Sequence, residues 1–169
     1  MIYCSVLQKQ IFFSLSGVSS HILSELQATL IKRFSISGTQ ATRLTDVMNL
    51  AFPEAMSENY EKLIPLLELP DSNDRHVLAA AIKENANLII TQNLKDFPSS
   101  YLESYGLAAK SPDDFLVDII DLDAGKAKRI FVENVVLKKK KPPINEYELL
   151  DKYRKIGLLK TANYLHALL

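Results

Sequence analysis

The sequence predicts an α/β domain with a central parallel sheet flanked by helices, followed by a helical C-terminal region. Two observations carry that prediction. Val77, Leu78, Ala81 and Ile82 form an apolar stripe at helical spacing, and the short run Leu88-Ile89-Ile90-Thr91 follows within a few residues. A helix feeding directly into a buried hydrophobic strand is the βαβ arrangement from which parallel sheets are built. From Ser111 onward the chain keeps helical spacing and shows no further strand signal.

Each element has its own justification. Residues 18–33 place Ile22, Leu26 and Leu30 on one helical face, and Lys32 and Arg33 suit its C-terminal end. After a loop around Gly38, Leu44, Val47, Met48 and Ala51 repeat the helical period until Pro53 stops it. Residues 60–74 are apolar but broken by Pro65 and Pro70, so they read as a loop with short ordered pieces. The helix over 74–86 and the strand over 88–91 come next. The loop Asn93-Leu94-Lys95-Asp96-Phe97-Pro98 leads to a short helix ended by Gly106, then to a second short strand over 107–110. Ser111 as N-cap, Pro112 at the first position and Asp114 at the third make a strong helix start. Asn145 with Glu148 forms a capping box, Gly157 ends that helix, and a last helix closes the chain. The soft boundary falls near 111, dividing an α/β domain, 1–111, from a basic helical region, 112–169.

The 169 residues suit one domain with a small appendage, and 47% hydrophobic and 24% charged residues exclude a disordered or collagen-like chain. The single cysteine, Cys4, has no internal disulfide partner, and no Cys/His group has zinc spacing. No run of about 18 apolar residues is present, and the N-terminal stretch lacks the layout of a signal peptide. A cytoplasmic protein without membrane contact is expected. The net charge of zero conceals an asymmetry: residues 1–125 carry 9 Lys/Arg against 16 Asp/Glu, and 126–169 carry 11 against 4. An acidic body with a basic tail suits a metal-using enzyme acting on a polyanion, although a solvated basic helix is the plainer account.

Residues 69–98 hold the chemistry. Asp74 opens its helix, and Asn93 and Asp96 lie just past the C-terminal end of the following strand, where α/β sheets form their ligand sites. Carboxylates gathered there can hold Mg²⁺ or Mn²⁺, hard cations that prefer oxygen ligands and serve phosphoryl chemistry. Each residue also has an ordinary structural use: Asp74 as a helix cap, Asn93 and Asp96 as turn residues, His76 as a packing residue. His21 and His166 have no partner visible in the sequence.

The run Asp74-Arg75-His76-Val77-Leu78-Ala79-Ala80-Ala81, then Thr91-Gln92-Asn93 and Asp96-Phe97, resembles the C-terminal half of a PIN domain, the fold of VapC-type toxin ribonucleases. The helix Ile22-Leu23-Ser24-Glu25-Leu26 resembles the family's second acidic position, and the basic helical region resembles the appendage of larger bacterial members. The similarity covers about residues 12–115 by order of elements.

The resemblance implies a metal-dependent endoribonuclease, a toxin component that hydrolyses RNA phosphodiesters. Glu25, Asp74 and Asp96 would be catalytic, and these with Asn93 would hold Mg²⁺ or Mn²⁺, while Thr91 orients the strand-end loop. Lys138, Lys139, Lys140 and Lys141 would contact RNA phosphates. RNA, an antitoxin protein and a second copy of the chain are the implied partners. The sequence departs from the family in one respect. The family opens on a strand ending in Asp, whereas Glu25 is the only acidic residue here before Asp46. The expectation is that the first strand and its metal-anchoring Asp are missing. A start assigned too late, a truncated gene, or residues 1–7 as a degenerate strand would each account for it. The chain would then be weakly active or inactive, and a catalytically inactive RNA- or partner-binding module of PIN type is the alternative.

Overall fold

The computed structural model describes residues 18–51, 55–137 and 144–169. Residues 1–7, with Cys4, and Lys138 to Lys141 lie outside the described residues. What is described falls into two compact units, 18–110 and Ser111–Leu169.

In the first unit, Ser19 caps helix α1 (Ser20–Phe34) by accepting a hydrogen bond from the Ile22 amide at 3.2 Å. Ile22, Leu23 and Leu30 turn inward from this helix. It packs on α2 (Gly38–Ala51), where the Gln27 amide donates to the Thr45 hydroxyl at 2.7 Å. Val18 makes an isolated parallel bridge with Met56. Pro65 and Pro70 deny this stretch a regular helix, and it folds as 3₁₀ turns at Glu61–Leu66 and Ser72–Asp74.

Helix α3 (Arg75–Lys83) is the centre of the unit. His76 through Ala81 are all buried, because the helix has neighbours on every side and its three consecutive alanines admit them closely. The chain reverses at Asn85, which has a positive φ of 51°. It then enters β1 (Leu88–Ile90), which pairs in parallel with β2 (Ala108–Lys110) in the register Leu88↔Ala108. The connection carries a 3₁₀ turn at Leu94–Asp96, the short helix α4 (Ser99–Leu102) and a further turn ended by Gly106 at φ 69°. Helix–strand order and parallel pairing agree with the predicted α/β class. The named sheet has two strands among the described residues.

The second unit is helical: α5 (Pro112–Leu122), α6 (Ala124–Leu137), α7 (Glu146–Lys155) and α8 (Leu159–Leu168). Ser111 caps α5 by accepting from the Asp114 amide at 3.1 Å, and the capping box of Asn145 and Glu148 is formed. Leu158 gives α8 no side-chain cap. The buried Asp113 takes that role from the start of α5, accepting from the amides of Lys160 and Thr161 at 2.8 Å each. Ile120, Phe131, Leu149, Leu150, Ala162 and Leu165 form this unit's own core. Among the described residues, no helix is long and apolar enough to cross a membrane.

Candidate metal centre

Strand β1 ends by delivering Thr91 into a fully buried position. The Thr91 hydroxyl accepts from the Asn93 amide at 3.0 Å, which folds the chain back immediately beyond the strand. The 3₁₀ turn at Leu94–Asp96 then returns the Asp96 carboxylate toward Asn93. Asn93 Nδ2 donates to Asp96 Oδ2 and, at 3.3 Å, to Asp74 Oδ2.

Asp74 stands where a helix cap would stand, yet its side chain makes no capping hydrogen bond to α3. The capping work at this corner belongs to Asp71, whose Oδ1 accepts from the Asn73 amide at 2.9 Å. Asp71, Asp74 and Asp96 each offer a carboxylate oxygen, all within 4.8 Å of one another, and all three residues are half-buried. Three like charges at that spacing repel unless something positive lies among them. The Asn93 amide supplies part of that compensation.

Glu25 stands in a different group. Its side chain is 47% exposed, and Oε2 lies 3.8 Å from His76 Nε2. The Glu25, His76 and His21 ligand atoms all fall within 4.8 Å of one another. His76 is buried, and its Nδ1 lies 2.7 Å from the carbonyl oxygen of Asn73. A carbonyl only accepts, so Nδ1 carries the proton and the neutral ring presents a lone pair at Nε2. Nε2 has no hydrogen-bond partner. The ring of His21 stacks on that of His76, centroids 4.0 Å apart and planes 12° from parallel. Burial lowers the His76 pKa and the His21 charge assists, against the Asn73 hydrogen bond and the carboxylates of Glu25 and Asp74.

Of the residues singled out in the sequence, Thr91, Asn93, Asp74 and Asp96 therefore converge, and Glu25 lies with the histidines. Lys138 to Lys141 lie outside the described residues. Sequence reasoning missed Asp71, and the available signal was a second aspartate three residues before Asp74, just after Pro70. It also left His21 without a partner, whereas the structure stacks it on a residue 55 positions away.

Residues 14–95 match the family model of the PIN domain, and residues 112–167 match that of the VapC50 C-terminal domain. The chain is 45% identical over 80 residues to the Mycobacterium tuberculosis (strain ATCC 25618 / H37Rv) protein named "Putative ribonuclease VapC50". That match covers 46% of this chain and 46% of the relative, so the chain matches less than half of the relative's length. No solved structure matches the chain.

Proposed function

This chain is a VapC-like PIN-domain protein, and from that premise we propose that it is a metal-dependent endoribonuclease that hydrolyses RNA phosphodiesters. In this reading it is the cytoplasmic toxin component of a toxin–antitoxin pair, with RNA as substrate, an antitoxin protein as partner and a second copy of the chain as a further one. The observation that carries the proposal is the convergence of Asp71, Asp74, Asp96 and Asn93 at the C-terminal end of β1.

The donor set fits the ion. Hard divalent cations take carboxylate and amide oxygens and keep several waters. Three half-buried carboxylates with oxygens within 4.8 Å of one another supply such donors without enclosing the site. Asp71, Asp74 and Asp96 would hold Mg²⁺ or Mn²⁺, and Asn93 would turn its carbonyl oxygen to the same side. Such an ion supplies water activation and charge stabilisation at a phosphoryl centre. Around it, Thr91 fixes the backbone of Asn93, and the turn from Leu94 to Asp96 sets the distance between the two strand-end groups. Glu25 is the outermost acidic residue of the proposal, and its charge and that of Asp74 both act on His76. In the basic region, Lys138, Lys139, Lys140 and Lys141 would bind RNA phosphates.

A catalytically inactive binding module of PIN type is the competing reading. Asp71 alters that balance by adding a third carboxylate to the site. The deciding experiment incubates the purified chain with structured RNA and Mn²⁺, beside the Asp74→Asn variant. Cleavage by the parent alone, abolished by EDTA and restored by excess Mn²⁺, is the expected result. A folded parent that binds RNA without cutting it would instead favour the inactive binding module.

A further inference from the structure

The aspartate group is assembled from two stretches of chain: Asp71 and Asp74 arrive just before α3, and Asn93 and Asp96 just after β1. Without an ion the carboxylates on the two sides repel, so their separation depends on contacts outside the group. On the first side, Leu67 and Leu69 are buried and Glu68 between them is exposed. Pro70 has no amide to donate, and the turn beyond it closes on itself, the Asp74 amide donating to the Asp71 carbonyl at 3.2 Å. On the second side, the Phe97 amide donates to the Leu94 carbonyl at 3.1 Å, and the Tyr101 amide to the Pro98 carbonyl at 3.0 Å. Phe97 and Leu102 anchor that run in the core. Away from the carboxylates, the Glu68 amide reaches across and donates to the Tyr101 hydroxyl at 2.8 Å.

We propose that Tyr101 is a positioning residue for the metal centre, holding the stretch of Asp71 and Asp74 against that of Asp96 through the Glu68 amide. Glu68 lies three residues before Asp71, and Tyr101 lies five after Asp96. Each path carries a buried anchor, Leu69 on one and Phe97 on the other. Both arms are therefore short and braced, and the distance across the clasp is passed on to the carboxylates. The Tyr101 ring packs partly buried against the core and meets the Tyr105 ring edge-on, centroids 5.4 Å apart and planes at 68°. That packing fixes where the hydroxyl points. Its oxygen accepts from Glu68, which leaves its own proton for the Tyr105 hydroxyl 3.3 Å away. Like charges are thus gathered when the chain folds, and an arriving ion meets donors already in place.

The inference rests on the reading of the aspartate group as a metal site, and its test needs no RNA. The full chain is titrated with Mn²⁺ by calorimetry beside Tyr101→Phe, which keeps the ring and removes only the hydroxyl. Tyr101→Phe should bind Mn²⁺ about threefold more weakly or worse, at or below the lower edge of what outer contacts to metal ligands contribute. Tyr105→Phe leaves the Glu68 clasp in place and should bind as the parent does. A second readout needs no variant. Coupling between two sites is reciprocal, so saturating Mn²⁺ should slow hydrogen exchange of the peptide carrying the Glu68 amide in the parent by a similar factor. A hydroxyl that served stability alone would lower the urea midpoint and leave both Mn²⁺ affinity and this exchange response untouched. That result would overturn the proposal while the metal site stood. Equal weakening in Tyr105→Phe would also overturn it, because the effect would then belong to the ring pair. A folded parent that binds no Mn²⁺ would instead remove the metal site and the positioning role with it.

Discussion

Asp74 precedes α3 with no capping hydrogen bond from its side chain, and its Oδ2 accepts from an amide that it shares with Asp96. A carboxylate used in this way contributes to a site more than to a helix. Asp71 does both, since its Oδ1 holds the Asn73 amide while the residue belongs to the three-carboxylate group. The two functions separate by substitution. Asparagine caps about as well as aspartate, so Asp71→Asn should change stability by no more than a few tenths of a kcal/mol. The same variant should bind Mn²⁺ about tenfold more weakly, read by calorimetry beside a urea melt. Asp74→Asn should lose RNA cleavage while its circular dichroism spectrum stays that of the parent. The sequence showed Asp74, Asn93 and Asp96 because strand-end position and local spacing are enough to place them. It could not show that Glu25 faces His76, because that pairing joins two helices 51 residues apart, and no local spacing encodes it.

At the scale of the element, the helix starts were the most legible feature. Ser111-Pro112 and the Asn145–Glu148 box act through residues three positions apart, and the structure forms both as the sequence predicts. Removing the first by Ser111→Ala should cost about 0.5–2 kcal/mol in urea unfolding. The cap of α8 was illegible for the opposite reason: its acceptor, Asp113, lies 47 residues upstream of the first amide it holds. Asp113 is buried and receives two backbone amides, so Asp113→Ala strands both donors at the start of α8. Hydrogen bonds to a charged group contribute about 1.5–3 kcal/mol each, so this loss should exceed that of Ser111→Ala in the same melt. A variant no worse than Ser111→Ala would mean that water replaces the carboxylate. The strands lie between these cases. Leu88–Ile90 was evident from its apolar run, whereas Ala108–Lys110, two alanines and a lysine, is a strand because it pairs with β1.

Over the whole molecule, the order of elements was readable and the charge distribution suggested a polyanionic ligand. Acidic residues dominate positions 1–125 and basic ones 126–169. If Lys138, Lys139, Lys140 and Lys141 bind RNA, replacing all four with alanine should flatten the salt dependence of binding. On a single strand, the log–log slope should fall by about 0.7 for each phosphate that is no longer neutralised. An unaltered slope in filter binding between low and moderate salt would assign that run to solvent instead. The 18–110 unit and the Ser111–Leu169 unit each bury a core of their own, and composition carries no information on which residues build either one.

The Asp113 clasp also sets an order of events during synthesis. Translation passes Asp113 long before it reaches Lys160 and Thr161, so a buried carboxylate waits for its donors through most of the second unit. At about 5–20 residues per second that wait lasts a few seconds on the ribosome. During it every residue of the 18–110 core has already been made, while the helical unit still lacks the two amides that Asp113 holds in the finished fold.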